Sequence, residues 1–259
     1  MMNGPNLSKR KVKILFSNKQ GWIRSIQKGF QSTTHEITFQ EFSSEKIKDY
    51  DLVVPLTIRD ARFLNEIRDL IADNPIPIPS NDNILLCNDK YLFNQELTRS
   101  GFSELIPEMG DRLSYPYILK KKIDEWGQNS HIISDEKHEQ IFADILASPG
   151  YFTQEIIAGP NEYATHILFK DKEILCSLNI KYAFEKNIPI KGKDKPIYKI
   201  NCHCPYINIF SSVLRSIGFE GLCCINYKVR DNRPWILEIN PRCGASLCPY
   251  LFSFVECAI

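Results

Sequence analysis

The chain has 259 residues, of which 43% are hydrophobic and 24% are charged, and its formal net charge is +1. This is the composition of an ordinary globular protein with room for one to three domains. Because neither sign of charge is in excess, the composition gives no support to a nucleic-acid partner or an anionic-membrane partner, and no apolar run is long enough to span a bilayer.

The N-terminal residues 1–10 are polar and lack the apolar segment of a secretory signal. Together with nine scattered cysteines, this predicts a cytoplasmic protein with reduced, mostly buried thiols. Cys202-His203-Cys204 and Cys223-Cys224 suggest a zinc site, but their spacing fits no standard arrangement. Buried thiols are the favoured interpretation, with structural zinc as the minor alternative.

Short apolar runs alternate with helical patterns at the start of the chain. Strands are predicted at 12–16, 36–42 and 52–56, with amphipathic helices between and after them. This alternation predicts a small parallel α/β domain over residues 1–86, whose loops after the strands are candidate sites for a substrate. Gly21 stands alone where a dinucleotide fingerprint needs three glycines, so that fingerprint is absent.

The next helix is predicted to begin at a polar cap and to carry a lysine in its first turn. Asn88 and Asp89 are the capping residues, and the helix ends at Gly101. A cation is mildly unfavourable near the positive end of a helix. An anionic ligand would therefore explain Lys90, although a solvated lysine is the alternative.

A predicted strand at 115–120 ends in Lys120, the first of three consecutive lysines. Lys121 or Lys122 could be the functional residue if the register differs by one or two positions. The segment 122–130 that follows has the polar composition of a loop and contains a single glycine.

Further along the chain, a strand and turn at 151–160 contain Gln154, Glu155 and Ile157, and Glu162 follows the turn. A β-hairpin is predicted at 163–178.

The next segment, 179–199, is predicted to be irregular and contains six lysines, of which Lys181 lies near the strand end. Irregular segments of that length in compact domains are usually functional or disordered.

The most informative pattern is the strand at 235–240. Because side chains alternate between the two faces of a strand, Glu238 and Asn240 share one face and the apolar Trp235, Leu237 and Ile239 share the other. A carboxylate and an amide oxygen converging on one point suit Mg²⁺. An ordinary strand with a solvated polar face is the alternative on this pattern alone.

The preceding strand, 221–229, pairs with this one as a hairpin. If three residues form the turn, Asn226 lies opposite Glu238 on the same face, whereas a two-residue turn would break that pairing. Pro241 ends the second strand, and Arg242 follows at a position where a guanidinium could hold phosphate.

In this order, the features resemble those of the ATP-grasp superfamily, which includes carbamoyl-phosphate synthetase, biotin carboxylase and D-alanine–D-alanine ligase. The motifs are CNDKYLFNQELTRSGF at 87–102, the strand and turn at 151–160, and Glu-Ile-Asn-Pro-Arg at 238–242. The resemblance covers roughly residues 88–246. It implies an α/β and α+β architecture, the ATP-grasp fold preceded by a small Rossmann-like domain.

The resemblance also implies three domains. They are a Rossmann-like domain at 1–86, a first ATP-grasp subdomain with the lysines and a phosphate lid at 87–150, and a second with the adenine hinge and the metal site at 151–259. The glycine-poor segment 122–130 departs from the glycine-rich lid of typical members.

For the nucleotide, the resemblance implies phosphate contacts from Lys90 and Lys120. The Gln154 side chain would accept from the exocyclic amine of adenine, while the Glu155 carbonyl and the Ile157 N–H would contact the ring edge. Glu162 would bind the ribose hydroxyls, although its spacing from the turn is one residue longer than usual.

The implied metal ligands are Glu238 and Asn240, with Asn226 a weaker third. Two catalytic cations are implied: Arg242 at the phosphate or acyl phosphate, and Lys181 at the γ-phosphate. For Lys181, a solvated basic loop is an equally good interpretation.

The implied activity is that of an ATP-dependent, ADP-forming ligase. ATP and Mg²⁺, with Mn²⁺ as an alternative ion, would convert a substrate carboxylate into an acyl phosphate that an amine, or less often a thiol, attacks. The expected partners are small-molecule carboxylates and amines, with a homodimer left open. Two alternatives remain: a non-catalytic ATP-binding module, and a transferase that uses its N-terminal unit to bind a nucleotide-linked substrate.

Overall fold

The computed structural model describes residues 11–111, 113–125 and 127–259. The polar N-terminal residues 1–10, and with them the expectation that a secretory signal is lacking, fall outside this description, as does Trp126 in the predicted lid. Within the described part of the chain, no helix is long and apolar enough to cross a membrane.

The first sheet is parallel and confirms the predicted α/β unit, with the strand order β2–β1–β3. Its strands are β1 (Lys13–Phe16), β2 (Glu36–Phe39) and β3 (Leu52–Val54). Helix α1 (Gln20–Phe30) connects β1 to β2, and α2 (Ile58–Glu66) follows β3. The second strand thus ends three residues before the predicted position 42.

Apolar side chains cover both faces of this sheet, as expected for parallel strands between helices. Phe16 points into a core shared with α1 and with the last helix of the chain, α8 (Leu251–Ala258). Leu15 points into a second core shared with α2 and α3 (Asn81–Asn88). The C-terminal helix therefore packs on the N-terminal sheet, although the expected domain boundaries assign it to the unit at 151–259.

The second sheet is small and antiparallel, with the order β5–β4–β6. Its strands are β4 (Tyr117–Lys121), β5 (His131–Ile133) and β6 (Tyr151–Glu155). Helix α4 (Lys90–Leu97) precedes it, and α5 (Glu136–Ile141) and α6 (Ala143–Leu146) lie between β5 and β6. Because β6 pairs with β4 along its whole length, this sheet extends past the expected boundary at residue 150.

The third sheet has five antiparallel strands in the order β11–β10–β7–β8–β9. They are β7 (Asn161–Lys170), β8 (Glu173–Ala183), β9 (Tyr198–Cys202), β10 (Gly221–Arg230) and β11 (Arg233–Asn240). Helix α7 (Ile207–Ser216) packs on one face. Since β8 runs five residues beyond the predicted hairpin end at 178, the irregular segment shrinks to residues 184–197.

The turn between β10 and β11 has two residues, and not the three on which the pairing of Asn226 with Glu238 was conditional. Asp231 and Asn232 both adopt left-handed backbone conformations, with φ values of 55° and 56°. Tight hairpin turns require this conformation, and Asp and Asn tolerate it. Arg230 accordingly pairs with Arg233 across the turn.

A β-bulge nevertheless places Asn226 opposite Glu238. The register shifts between Asn226 and Tyr227, so that Leu237 is the extra residue on β11. The bulge also changes which side chains share a face. Ile236 enters the core together with Ile239, whereas Trp235 and Leu237, which were expected there, remain half-buried.

Two glycines in α1 provide a test of how tightly the N-terminal unit packs on the C-terminal segment. A Cβ atom on Gly29 would lie 2.5 Å from the Pro249 carbonyl oxygen, whereas one on Gly21 would meet nothing within 4 Å. We expect Gly29→Ala to lower the free energy of unfolding by about 1–3 kcal/mol, despite the roughly 1 kcal/mol that alanine gains over glycine in a helix. Gly21→Ala should cause no loss. Urea unfolding measures both, and equal effects would contradict the packing described.

Candidate functional site

A cavity of about 520 Å³ opens between the small antiparallel sheet and the five-stranded sheet. This volume is typical of small-molecule sites. Cationic side chains outnumber acidic ones in its walls, which favours an anionic ligand. The lining cations are Lys90, Lys120, Lys191, Lys199, Lys228 and Arg242, and the lining acids are Glu155, Glu162, Asp194 and Glu238.

Glu238 is held by donors on both of its carboxylate oxygens. The side-chain N–H groups of Asn226 and Asn240 donate to Oε1 at 2.7 and 3.1 Å, and Lys90 Nζ lies 3.2 Å from Oε2. Burial alone would raise the pKa of Glu238, but the Lys90 ammonium and the two amides outweigh it and lower the pKa to about 2. Glu238 therefore remains a carboxylate across the physiological pH range.

The donor atoms around Glu238 fit a small divalent ion. Carboxylate and amide oxygens are hard ligands, and Mg²⁺ commonly takes one or two such groups together with phosphate oxygens. The side chains of Asn226 and Asn240 meet Glu238 as predicted, and in this structure they do so through their N–H groups.

By contrast, the described residues contain no cluster of three or more His, Cys, Asp or Glu side chains that could hold a metal ion. The structure gives no support to zinc at Cys202-His203-Cys204. Most cysteine side chains are buried free thiols, with Cys257 exposed.

Two predicted lysines lie on adjoining walls of the cavity. Asp89 caps α4 through two backbone N–H groups and so fixes the start of the helix at Lys90, whose Nζ also donates to the Asp124 carbonyl at 2.6 Å. Lys120, the residue before the last in β4, donates to Gln154 Oε1 at 2.7 Å. Burial lowers the pKa of Lys120 to about 8.

Gln154 lies behind the cavity wall. Its side chain is fully buried; it accepts from Lys120, and its Nε2 donates to the Pro107 carbonyl at 3.2 Å. It is not among the described residues that line the cavity. The side-chain contact with adenine that the resemblance implies is therefore not reached in this arrangement, and Gln154 instead positions the Lys120 ammonium.

Glu155, the last residue of β6, and Ile157, two residues after it, do line the cavity. The Glu155 carboxylate pairs with Arg230, and its backbone N–H donates to the Glu108 carbonyl at 2.7 Å. Because the carboxylate is held by Arg230, the backbone of this stretch is the part suited to contact a ligand.

Lys181 is not among the described residues that line the cavity, so the structure does not place it where the resemblance implies. It pairs with Tyr163 across β7 and β8, and Tyr163 packs towards the core under α7. Its neighbour Tyr182 faces the cavity from the opposite face of β8. The sequence prediction missed this because it ended the strand at 178, before alternation could decide the face of Lys181.

A different lysine, Lys191, occupies the cavity next to the predicted metal ligands. Its Nζ donates to Asn226 Oδ1 at 2.7 Å and lies 3.3 Å from Glu162 Oε1 and 4.4 Å from the centre of the Tyr182 ring. Burial would lower the pKa of Lys191, but Glu162 outweighs it and raises the pKa above the ordinary value. An irregular segment with six lysines gives no sequence signal that singles out this one.

Arg242 binds the predicted lid through a side chain. Its Nη2 lies 3.0 Å from Glu125 Oε1, and its Nη1 donates to the Cys243 carbonyl at 3.2 Å. Arg242 also lies 5.9 Å from the ring of Trp22 on the N-terminal unit, where Lys19 stacks at 3.8 Å. The first loop of the parallel domain therefore reaches the edge of the site.

A serine–histidine pair in the cavity wall was not predicted from the sequence. His166 Nε2 lies 2.8 Å from Ser246 Oγ, and Ser246 lines the cavity. Burial lowers the pKa of His166 to about 3, so the imidazole is neutral. A Cβ atom on Gly244 would lie 2.7 Å from the His166 ring, which explains the need for glycine at that position.

Glu238 should make stability depend on pH. Since its pKa falls from 4.5 in the unfolded chain to about 2 in the folded one, the stabilisation is complete above pH 4.5 and is lost as the pH falls towards 2. We expect Glu238→Gln to cost roughly 3 kcal/mol at pH 7, with the difference from wild type shrinking across that window. Urea titrations at several pH values measure this.

The matched control is Glu173→Gln, since Glu173 is an exposed residue at the start of β8. This substitution should change the free energy of unfolding by less than about 0.5 kcal/mol. A gap between wild type and Glu238→Gln that stays constant down to pH 2 would contradict the burial of an ionised Glu238.

Comparisons with known proteins agree with this geometry. Residues 87–246 match a family model described as an ATP-grasp domain. Among curated proteins, an uncharacterized protein of Methanocaldococcus jannaschii is 38% identical over 71 residues, which span 25% of this chain and 17% of that protein. The chain therefore aligns with less than a fifth of this relative's length.

Several solved structures share the fold. Phosphoribosylamine–glycine ligase from Thermotoga maritima has a TM-score of 0.71 at 14% identity, covering 95% of this chain and 75% of that one. D-alanine–D-alanine ligase from Bacillus anthracis has a TM-score of 0.60 at 15% identity, covering 94% and 91%. N5-carboxyaminoimidazole synthetase from Staphylococcus aureus has a TM-score of 0.63 at 13% identity, covering 93% and 74%.

At these identities, the structural likeness supports the fold alone, and it confirms the predicted ATP-grasp architecture. The family model adds sequence support over more than half of the chain. The matched residues include Lys90, Lys120 and the hairpin of β10 and β11. The chain belongs to the ATP-grasp family.

Proposed function

We propose that this protein is an ATP-dependent ligase that activates a substrate carboxylate as an acyl phosphate, releases ADP, and joins the acyl group to an amine or, less often, a thiol. The observation that carries the proposal is an ionised Glu238 between two asparagines, with Lys90 and Arg242 on the same cavity. A carboxylate suited to Mg²⁺ is thereby surrounded by cations suited to phosphate.

The cavity has a suitable group for each part of ATP. The backbone at Glu155 and Ile157 would contact adenine, and the buried Glu162 would bind the ribose. Lys90 and Lys120 would hold phosphates. The Bacillus anthracis ligase has been solved with ATP, and a biotin carboxylase domain of Hydrogenobacter thermophilus has been solved with MgADP, which supports this choice of nucleotide.

Glu238 and Asn240 would hold Mg²⁺, with Asn226 beside them. The bound ion would neutralise charge on the β- and γ-phosphates during phosphoryl transfer. The chain's own contribution is to keep Glu238 ionised and to hold its oxygens in place through Lys90 and the amide N–H groups.

The remaining steps need positioned charge and no covalent nucleophile from the protein. The γ-phosphoryl group moves to a carboxylate oxygen, and ADP leaves. The amine then attacks the acyl carbon, phosphate leaves, and the amine loses a proton. Arg242 would hold the carboxylate and the acyl phosphate. Beside it, on the N-terminal unit, lie Lys19 in the first loop and Trp22 in α1, where the substrate would enter.

Two observations favour a second candidate, a non-catalytic ATP-binding module. Asn226 supplies no charge where an acidic residue would strengthen metal binding, and segment 122–130 has one glycine. The transferase alternative placed its nucleotide in the N-terminal unit, away from the cavity described above.

Replacing Glu238, the proposed metal-binding carboxylate, distinguishes the ligase from the non-catalytic ATP-binding module. With a panel of carboxylates and amines, we expect the wild-type protein to form ADP and Glu238→Ala to lose at least about 100-fold in kcat, because the metal charge is no longer held. A coupled ADP assay measures this, with Glu173→Ala as the control that retains activity. Near-normal turnover by Glu238→Ala would refute the assignment, and nucleotide binding without ADP formation would favour the module.

Lys120 should make nucleotide binding depend on pH. Its ammonium is charged below a pKa of about 8 and loses its proton as the pH rises through that value. We expect the affinity for a non-hydrolysable ATP analogue to fall between pH 7 and 9, and Lys120→Met to bind weakly with a flatter profile. Calorimetric titration measures both affinities, and a wild-type affinity that is flat over this range would exclude a phosphate contact from Lys120.

A further inference from the structure

Lys191 is held in the cavity by specific contacts and is not a solvated surface lysine. Its side chain is only 22% exposed, and the Glu162 side chain that it approaches is 8% exposed. The ammonium bridges Asn226 Oδ1 and Glu162 Oε1 over the Tyr182 ring. It therefore lies directly beside the proposed metal ligands.

The segment that carries Lys191 is anchored on both sides of it. The Ile190 N–H donates to Asp194 Oδ2 at 2.8 Å, and Lys186 pairs with the same carboxylate at 2.5 Å. Lys193 Nζ donates to the Ser130 carbonyl at 2.6 Å, which ties this segment to the neighbouring 122–130 segment. These contacts keep Lys191 in the cavity wall.

The side chains beside Glu238 supply little negative charge to help hold two divalent ions. Two-ion phosphoryl-transfer sites place their metals about 3.5–4 Å apart and need several anionic ligands to offset the repulsion. The hairpin residue opposite Glu238 is the neutral Asn226. The nearby Glu162 faces the Lys191 ammonium, and Glu238 already faces Lys90.

We propose that this site holds a single divalent ion with ATP, and that the Lys191 ammonium supplies the positive charge that a second ion would otherwise provide. The inference rests on the proposed function, since it concerns how the nucleotide phosphates are neutralised. It explains why residue 226 is an amide, because its oxygen receives the ammonium while its N–H holds Glu238.

The count of bound metal ions tests this directly. The wild-type protein is saturated with adenylyl imidodiphosphate, and Mn²⁺ is added as the paramagnetic probe, with free Mn²⁺ measured by electron paramagnetic resonance. We expect one Mn²⁺ per bound nucleotide. Two Mn²⁺ per nucleotide in the wild-type protein would overturn the inference while leaving the ligase proposal intact, whereas failure of the analogue to bind would overturn the proposed function itself.

Variants of Lys191 test the inference through nucleotide affinity and metal count, with no measurement of activity. Lys191→Met should weaken binding of the analogue by about tenfold, while Lys195→Met, an exposed lysine on the same segment, should bind as wild type does. The double variant Asn226→Asp/Lys191→Met restores an anionic ligand and removes the competing ammonium, so it should bind a second Mn²⁺. Unchanged affinity in Lys191→Met, or one ion in a folded double variant that binds the analogue, would count against the proposal.

Discussion

The charged state of Glu238 is the constraint on which the cavity depends. A mostly buried carboxylate stays ionised only if its oxygens accept strong hydrogen bonds or face cations. Asn226 comes from the neighbouring strand, Asn240 from the same strand, and Lys90 from the start of α4. The hairpin and the helix must therefore dock on each other before this charge is tolerated, which couples assembly of the site to assembly of the fold.

The parts of the site differ in how far they can be predicted from local sequence. The polar face of β11, the cap at Asp89 and the lysine after it are local features, and the structure places all of them as expected. The pairing of Asn226 with Glu238 is different. It depends on a bulge at Leu237 that compensates for a two-residue turn, and a bulge is a property of two strands together that the β11 pattern alone does not show.

The residues that sequence reasoning misplaced or missed lie where tertiary structure decides orientation. Lys181 belongs to a strand that runs further than its apolar pattern suggests, so alternation turns it away from the cavity. Lys191 lies in an irregular segment whose position is fixed by Asp194 and Ser130, neither of which has a recognisable motif. Most of the fold was accessible from periodicity. Helix α8 and its packing on the N-terminal sheet were not, because a short apolar segment does not specify the surface that it packs against.

The contacts of segment 122–130 with two cations explain how it can be held in place with only one glycine. Glycine-rich lids approach phosphate through backbone N–H groups, whereas this segment is held by Glu125 on Arg242 and by the Asp124 carbonyl on Lys90. A guanidinium has five N–H donors and an ammonium three, so the contacts described here do not use all the donors of either cation. Under the proposed function, Lys90 and Arg242 would therefore bind a phosphate while still holding the segment, and side-chain charge would take over the positioning that backbone N–H groups provide in a glycine-rich lid.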